Sequence, residues 1–257
     1  KHQKRLGTRK LLHEMQEFLH AHHFQIGRDA MFDLLAHQGL LVTKRKRRGC
    51  VTTLSKHRFK KYPNIIRDFI PIAPNQLWVS DITYWKIKTD KHLYISFITD
   101  AYSHKIVGWH VAETLEAIQS IAALQKALSA FGGAESLFPL THHSDRGIQY
   151  CSKEYVKLLQ DYNIQISMTE NGDPLENAIA ERVNGIIKDE YLDAYEVSNI
   201  RQAKELLDSV ISLYNNDRPH MSISNLTTNQ IHYSSNPIKT EKQWKNYYQK
   251  SHTIINP

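Results

Sequence analysis

Three carboxylates fall where ordinary packing does not want them. In the run LWVSDITYWKI, strand alternation places Leu77, Val79, Asp81, Thr83, Trp85 and Ile87 on one face, so Asp81 occupies a position the pattern reserves for an apolar residue. A buried carboxylate persists when it is paired with a cation, hydrogen-bonded or bound to a metal. Asp145 ends LTHHSD just before Arg146 and Gly147, where the chain turns at the carboxyl edge of a sheet. Taken alone, Asp145 reads as a turn or capping aspartate before a helix that begins near Ser152. Glu181 carries more information. On a helix, Asn177, Glu181, Asn184 and Lys188 fall within an arc of about 60° and form one polar stripe. Leu175, Ile179, Val183 and Ile186 take the other side, so the helix is expected to pack by that side and present the stripe elsewhere. An ordinary solvated face would give the same stripe. What argues otherwise is its company: two other misplaced acids, a preceding NGDPLEN loop and a basic chain.

Three acids on separate elements suit one chemistry in particular. Breaking a phosphodiester requires an activated attacking oxygen, a stabilised leaving oxygen and shielding of the charge that builds on phosphorus. Two Mg²⁺ or Mn²⁺ ions roughly 3.5–4 Å apart meet all three needs. These hard cations want oxygen ligands, and three carboxylates leave coordination positions for water and phosphate. The fifteen His residues invite a zinc reading, but His142 and His143 are adjacent on a strand and point to opposite faces. Zinc is not expected.

The elements that must position these acids follow from the periodicity. Leu11, Leu12, Met15, Phe18 and Leu19 repeat at helical spacing over residues 8–20, and Met31, Leu34 and Leu35 do so over 28–38. The short AHHFQIG between them allows a helix-turn-helix, with Arg9, Lys10 and Arg28 able to meet phosphates; any small helical hairpin gives the same pattern. TKRKRRG and the basic stretch as far as Lys61 read as a linker: a targeting signal, a solvated tether, or a strip lying along DNA. PIAPNQ then opens a different region. LWVSDITYWKI, HLYISFITD and KIVGWHVA read as three antiparallel strands, and Leu115 to Phe131 as a helix closed by Gly132 and Gly133. The strand LTHHSD, a helix from Lys153 to Tyr162 and the strand IQISM follow. Asn171 and Gly172 make a turn, and from Pro174 one long helix is expected to run to about Leu192. A last helix spans Ser198 to Tyr214 before a polar, irregular tail.

The expected organisation is a helix-turn-helix-like domain over 1–42, a basic linker over 43–75, a mixed α/β catalytic core over 76–195, and a C-terminal helix and tail over 196–257. With 257 residues and 41% hydrophobic content the chain can bury a core. A net charge of +7 points to a polyanionic partner, nucleic acid above all. Cys50 and Cys151 stand far apart with no second thiol nearby, so neither a disulfide framework nor a cysteine zinc site is indicated, and a reducing cytoplasm fits. No apolar run reaches 18 residues, so a soluble protein with no membrane partner is expected. The opening KHQKRLGTRK lies inside a basic helix entry, which leads us to expect further chain upstream.

Four strings in order then carry a resemblance: WVSDITY around Asp81, HSDRGIQY around Asp145, SMTENGDPLENAIAERVNGIIKDEY around Glu181, and the later YNNDRPH, with 35 residues separating Asp145 from Glu181. They resemble the second-reading-frame transposases of insertion sequence family 3, within the retroviral-integrase superfamily. The resemblance implies an RNase H-like fold in which Asp81, Asp145 and Glu181 are the catalytic, metal-holding triad of a DDE transposase. It implies cleavage and strand transfer at element ends through a circular intermediate, with two Mg²⁺ ions for which Mn²⁺ can substitute. Lys188 matches a basic position that contacts DNA near the cleaved end, and Asn177 would orient water or the Glu181 carboxylate. Asn184, Arg146, Arg28 and the run Lys44, Arg45, Lys46, Arg47 and Arg48 complete the residues expected to meet DNA. The partners implied are double-stranded DNA, as terminal inverted repeats and target, and further copies of the chain in a homodimer or larger assembly. The setting implied is the bacterial cytoplasm, at the nucleoid. Glu176 and Arg182 depart from commoner family residues, and a proline often found after RPH is missing here. A DNA-binding descendant without chemistry and a plain RNase H-like nuclease are the rival readings. A retroviral-type integrase would bring a His/Cys zinc module, for which paired cysteines are lacking.

Overall fold

A computed structural model describes residues 5–42, 57–131, 139–170 and 174–235. The basic run 44–48, Gly132 and Gly133, the Asn171 and Gly172 turn and the tail from 236 lie outside the described residues.

The N-terminal unit holds α1 (Thr8–Glu14), α2 (Gln16–Ala21) and α3 (Arg28–His37). The helix expected over 8–20 is broken at Met15. Met31, Leu35 and Leu19 provide its buried apolar side chains. The core begins with β1 (Leu77–Lys86), β2 (His92–Asp100) and β3 (Ile106–Ala112), the antiparallel meander expected from alternation. Helix α4 (Ala117–Phe131) then carries the chain over the sheet to β4 (Thr141–Ser144), α5 (Lys153–Asp161) and β5 (Gln165–Met168). β4 lies parallel to β1, and β5 parallel to β4, giving the order β3-β2-β1-β4-β5. One face of the sheet packs Trp78, Ile82 and Ile98 against α4 and α5, through Leu124, Leu128, Tyr155 and Leu159. Gly108 is required at this contact, because a Cβ there would stand 2.4 Å from the Ala123 carbonyl oxygen.

The opposite face packs Trp85, Leu93, Ile95 and Phe97 against the C-terminal helices. The single helix expected from Pro174 to Leu192 is four pieces: a 3₁₀ turn Pro174–Asn177, α6 (Ala178–Ile186), a π turn Ile187–Tyr191 and a 3₁₀ turn Leu192–Ala194. Burial of Ile187 and Tyr191, and ion pairing of Glu190 inside the π turn, offset its poorer hydrogen bonding. The packing face differs from expectation as well. Ala180, Val183, Asn184 and Ile187 are buried, whereas Ile179 and Ile186 are half-buried. Part of the polar stripe therefore lies against the sheet.

Helix α7 (Ile200–Asn216) starts at the Asn199 cap and lays Ala203, Leu207, Val210 and Tyr214 on the core. The tail is more ordered than its polarity suggested. A 3₁₀ turn Met221–Ile223 and α8 (Thr228–His232), opened by a capping box at Thr227, seat Ile223 and Ile231 against Tyr102. His232 Nδ1 lies 2.9 Å from Ser103 Oγ, which also donates to buried Asp100.

Candidate active site

Parallel pairing of Val79 with His143 sets the geometry. Continued two residues, that register brings Asp81 alongside Asp145 at the end of β4. The Asp81 carboxylate accepts the Ile82 N–H at 2.9 Å and the Asn184 Nδ2 amide at 2.7 Å. Burial, and next the charge of Asp145, push its carboxyl up to about 8; Glu181 adds to the push, while the two hydrogen bonds oppose it. Asp145 accepts the Gly147 N–H at 2.9 Å. The turn role is thus real, but helix α5 takes its cap from Ser152 instead. Glu181 stands exposed on α6. Asp81 thus feels the charge of both other acids, but among the described residues no three acidic, His or Cys side chains stand close enough to hold an ion. Their chemistry nonetheless fits a hard divalent cation. All donors are carboxylate oxygens, and the repulsion of Asp81 by the other two is what such a charge relieves.

The strand that presents Asp81 is held from both sides. Asn177 Nδ2 donates to the Ser80 carbonyl at 2.9 Å. Below the sheet, His142 Nε2 lies 2.7 Å from Ser80 Oγ and 2.9 Å from the Tyr155 hydroxyl. His143 turns the other way to Ser167 Oγ at 2.8 Å, so the two histidines part as alternation requires. Burial depresses both, to about 3 and about 4, and keeps them neutral.

The residues expected to meet DNA separate into distinct groups. Asn177 and Asn184 are buried and make protein contacts. Arg146 donates to the Glu170 carbonyl at 2.9 Å and anchors the loop after β4. Lys188 lies over the Tyr84 ring at 4.0 Å, near Asp81 along β1. Arg28 is exposed and paired with Asp29. Lys10 is half-buried, with its Nζ 2.6 Å from Glu190. Residues 44–48 lie outside the described residues.

Sequence reasoning missed the acid at the other end of this helical arm. Glu190 receives Arg218 as a two-pronged partner, Nε to Oε2 at 2.7 Å and Nη2 to Oε1 at 2.9 Å, as well as Lys10. The YNNDRPH string therefore makes structural contacts. Asn215 brackets the Ile106 backbone through both its amide atoms, and the Tyr214 hydroxyl donates to the His104 carbonyl. An acid and an arginine 28 residues apart carry no spacing signal; only the recurrence of the string marked them.

Known proteins match this arrangement. Two integrase core domain models fit the chain, over residues 71–174 and 162–227. The 31 kDa protein of insertion element IS600 from Shigella sonnei is 33% identical over 223 residues, covering 86% of this chain and 79% of that protein. The chain belongs to the integrase-core transposases of insertion sequence family 3. Two further family members are the transposase of element IS904 from Lactococcus lactis, 29% identical over 84% of this chain and 90% of its own length, and that of IS629 from Shigella sonnei, 32% identical over 65% and 55%. Among solved structures, the HTLV-2 integrase catalytic core domain in complex with magnesium is 24% identical with a TM-score of 0.50, covering 63% of this chain and 99% of that one. A chain of the simian T-cell lymphotropic virus intasome in complex with PP2A regulatory subunit B56 gamma is 18% identical with a TM-score of 0.55, covering 91% of this chain and 77% of that one. At those identities the match establishes the fold, an RNase H-like integrase core. These family members are bacterial, and among the described residues no helix is long and apolar enough to cross a membrane.

Proposed function

We propose that this transposase cleaves DNA at the ends of its insertion sequence and joins the freed 3′ ends to a new phosphodiester, with Asp81, Asp145 and Glu181 holding two Mg²⁺ ions or Mn²⁺ in their place. The observation that carries the reading is the placement of Asp81 on β1 beside Asp145 just after β4, with α6, which bears Glu181, packed against β1, in a chain of this family. When bound, such ions activate an attacking oxygen and stabilise a leaving one. The chain supplies the positioning. Asn184 fixes the orientation of the Asp81 carboxylate, Asn177 holds the adjacent Ser80 carbonyl, and the Gly147 N–H holds Asp145. Glu181, exposed on α6 three residues before Asn184, supplies the third carboxylate. Lys188 and the basic run 44–48 contribute charge toward DNA. Joining two element ends calls for at least two copies of the chain on the DNA, in the bacterial cytoplasm.

The test is incubation with Mg²⁺ or Mn²⁺ and a labelled duplex carrying the element's end, beside Glu181→Gln. Metal-dependent nicking and joining, both lost in the variant, support the proposal. Nicking without a joined product indicates a plain nuclease, and binding without either product indicates a DNA-binding descendant that has lost its chemistry.

A further inference from the structure

Residues 57–70, expected to be linker, run across the β4–β5 edge of the sheet beside the acids. The strap is held at its start and at its end. His57 Nε2 lies 2.9 Å from the Arg146 carbonyl, immediately after Asp145. Further on, the Pro63 carbonyl accepts the Met168 N–H, the Asn64 N–H donates to Glu170 and the Ile65 N–H to Ser167 Oγ, while Ile66 is buried among Leu77, Val79 and Ala180. Between these anchors, Arg58, Phe59, Lys60 and Lys61 are all exposed. Phe59 keeps 37% of its surface in solvent. Lys60 reaches back over the Tyr62 ring at 4.9 Å, and Tyr62 packs against the cluster that contains Tyr150 and Cys151, next to the Asp145 turn.

The cations on this edge divide sharply. Arg67 is paired with Glu170, and Arg146 is bound to a carbonyl. Among the described residues Arg58, Lys60 and Lys61 have no acidic partner. Three uncompensated cations and an exposed phenyl ring, fixed at the lip of an acidic centre, answer a specific physical problem. A DNA strand approaching three carboxylates is repelled, and counter-charge screens that repulsion only within about 10 Å. A solvated linker would need neither the anchors nor the ring.

Resting on the function proposed above, we propose that residues 58–61 form a DNA-holding arch: Arg58, Lys60 and Lys61 take backbone phosphates of the strand entering the acidic centre, and Phe59 stacks on an unpaired base at its end. The charge of Lys61 at the Cys151 thiol, which also feels Asp145, agrees with that proximity.

The test uses the full chain without added metal, so it does not depend on catalysis. Fluorescence anisotropy would follow binding to a fluorescein-labelled duplex of arbitrary sequence, and to the same duplex with an unpaired end, across a KCl series. Arg58→Gln/Lys60→Gln/Lys61→Gln is compared with Lys126→Gln/Arg201→Gln/Lys204→Gln, which removes equal charge on the β3 side of the sheet. The arch variant should lose at least about tenfold in affinity at low salt, and the slope of log K against log salt should shrink by about 0.9 for each phosphate no longer neutralised. Phe59→Ala should bind the paired duplex unchanged and the unpaired end at least about fivefold more weakly. Equal losses in the two triple variants, an unchanged slope, or no binding by the parent chain would overturn the arch; a Phe59→Ala variant that treats both duplexes alike would remove the stacking role. Arch-dependent binding by a chain that forms no cleaved product in the Mg²⁺ or Mn²⁺ cleavage assay would leave the arch standing and reject the catalytic reading.

Discussion

Asp81 and Glu190 are both carboxylates withdrawn from water, and their surroundings have opposite sign. Around Asp81, burial together with Asp145 and Glu181 pushes the carboxyl up to about 8. Around Glu190, burial pushes upward too, but the Arg218 hydrogen bonds and the charges of Arg218 and Lys10 outweigh it and hold the group below the ordinary range. Lys10 does not gain in the same measure. Its own pKa is lowered, because burial and the neighbouring Arg218 outweigh Glu190, so Arg218 is the stronger partner and Lys10 the weaker. A carboxylate with two cations stabilises the fold, whereas one kept among like charges is a cost the fold carries for another purpose. The same contrast explains why the Glu190 junction can join the N-terminal helices to the core while the Asp81 cluster cannot hold anything together by itself.

The largest effect should come from breaking the acidic side. Glu181→Gln or Asp81→Asn should lower metal-dependent strand cleavage on the order of 10³-fold or more, since one ligand forfeits several kcal/mol of transition-state stabilisation; a cleavage assay at saturating Mn²⁺ reads this. Next comes the paired side. Arg218→Ala leaves a buried acid with only its weaker partner and should cost about 3–5 kcal/mol in urea unfolding. Third, metal-free Asp81→Asn should raise Tm at neutral pH, by roughly 2–4 °C for each kcal/mol recovered, whereas Glu190→Gln should lower it. The pH profile sharpens this contrast. Asp81 has a raised folded pKa, so its penalty is absent below the unfolded value of about 4 and grows as pH rises toward 8. Glu190 has a lowered folded pKa, so its contribution is present above the unfolded value and disappears as pH falls through the folded one. A metal-free stability profile of Asp81→Asn should therefore be flatter between pH 4 and 8 than that of the parent. The smallest effect serves as a reference: the exposed Arg201 and Glu205 pair on α7 should couple by only about 0.3–0.5 kcal/mol in a double-mutant cycle.

The sheet and its order of elements were readable because both rest on local period. LWVSDITYWKI alternates on a strand with a packed face, and Ile121, Leu124 and Leu128 recur at helical spacing on α4. The break at Ile187 was not readable. An apolar face through Val183, Ile187 and Tyr191 continues at helical spacing, and within the π turn Glu190 meets Arg218 and Lys10, residues remote in sequence. The acids were legible as misplaced charges and as recurring strings. Their partners were not, since Asn184 looked like one more member of a solvated stripe until packing placed its amide 2.7 Å from Asp81.

Residue order alone determined that an α/β sheet forms, that one acid sits within its first strand and that another follows its fourth, because hydrophobic period and side-chain alternation are properties of neighbouring residues. The tertiary structure decided which charges compensate one another. Lys10 faces Glu190 rather than solvent, Asp81 keeps company with acids, and the strap from His57 lies on the core, since electrostatic energy depends on distance and desolvation in space and not on separation along the chain.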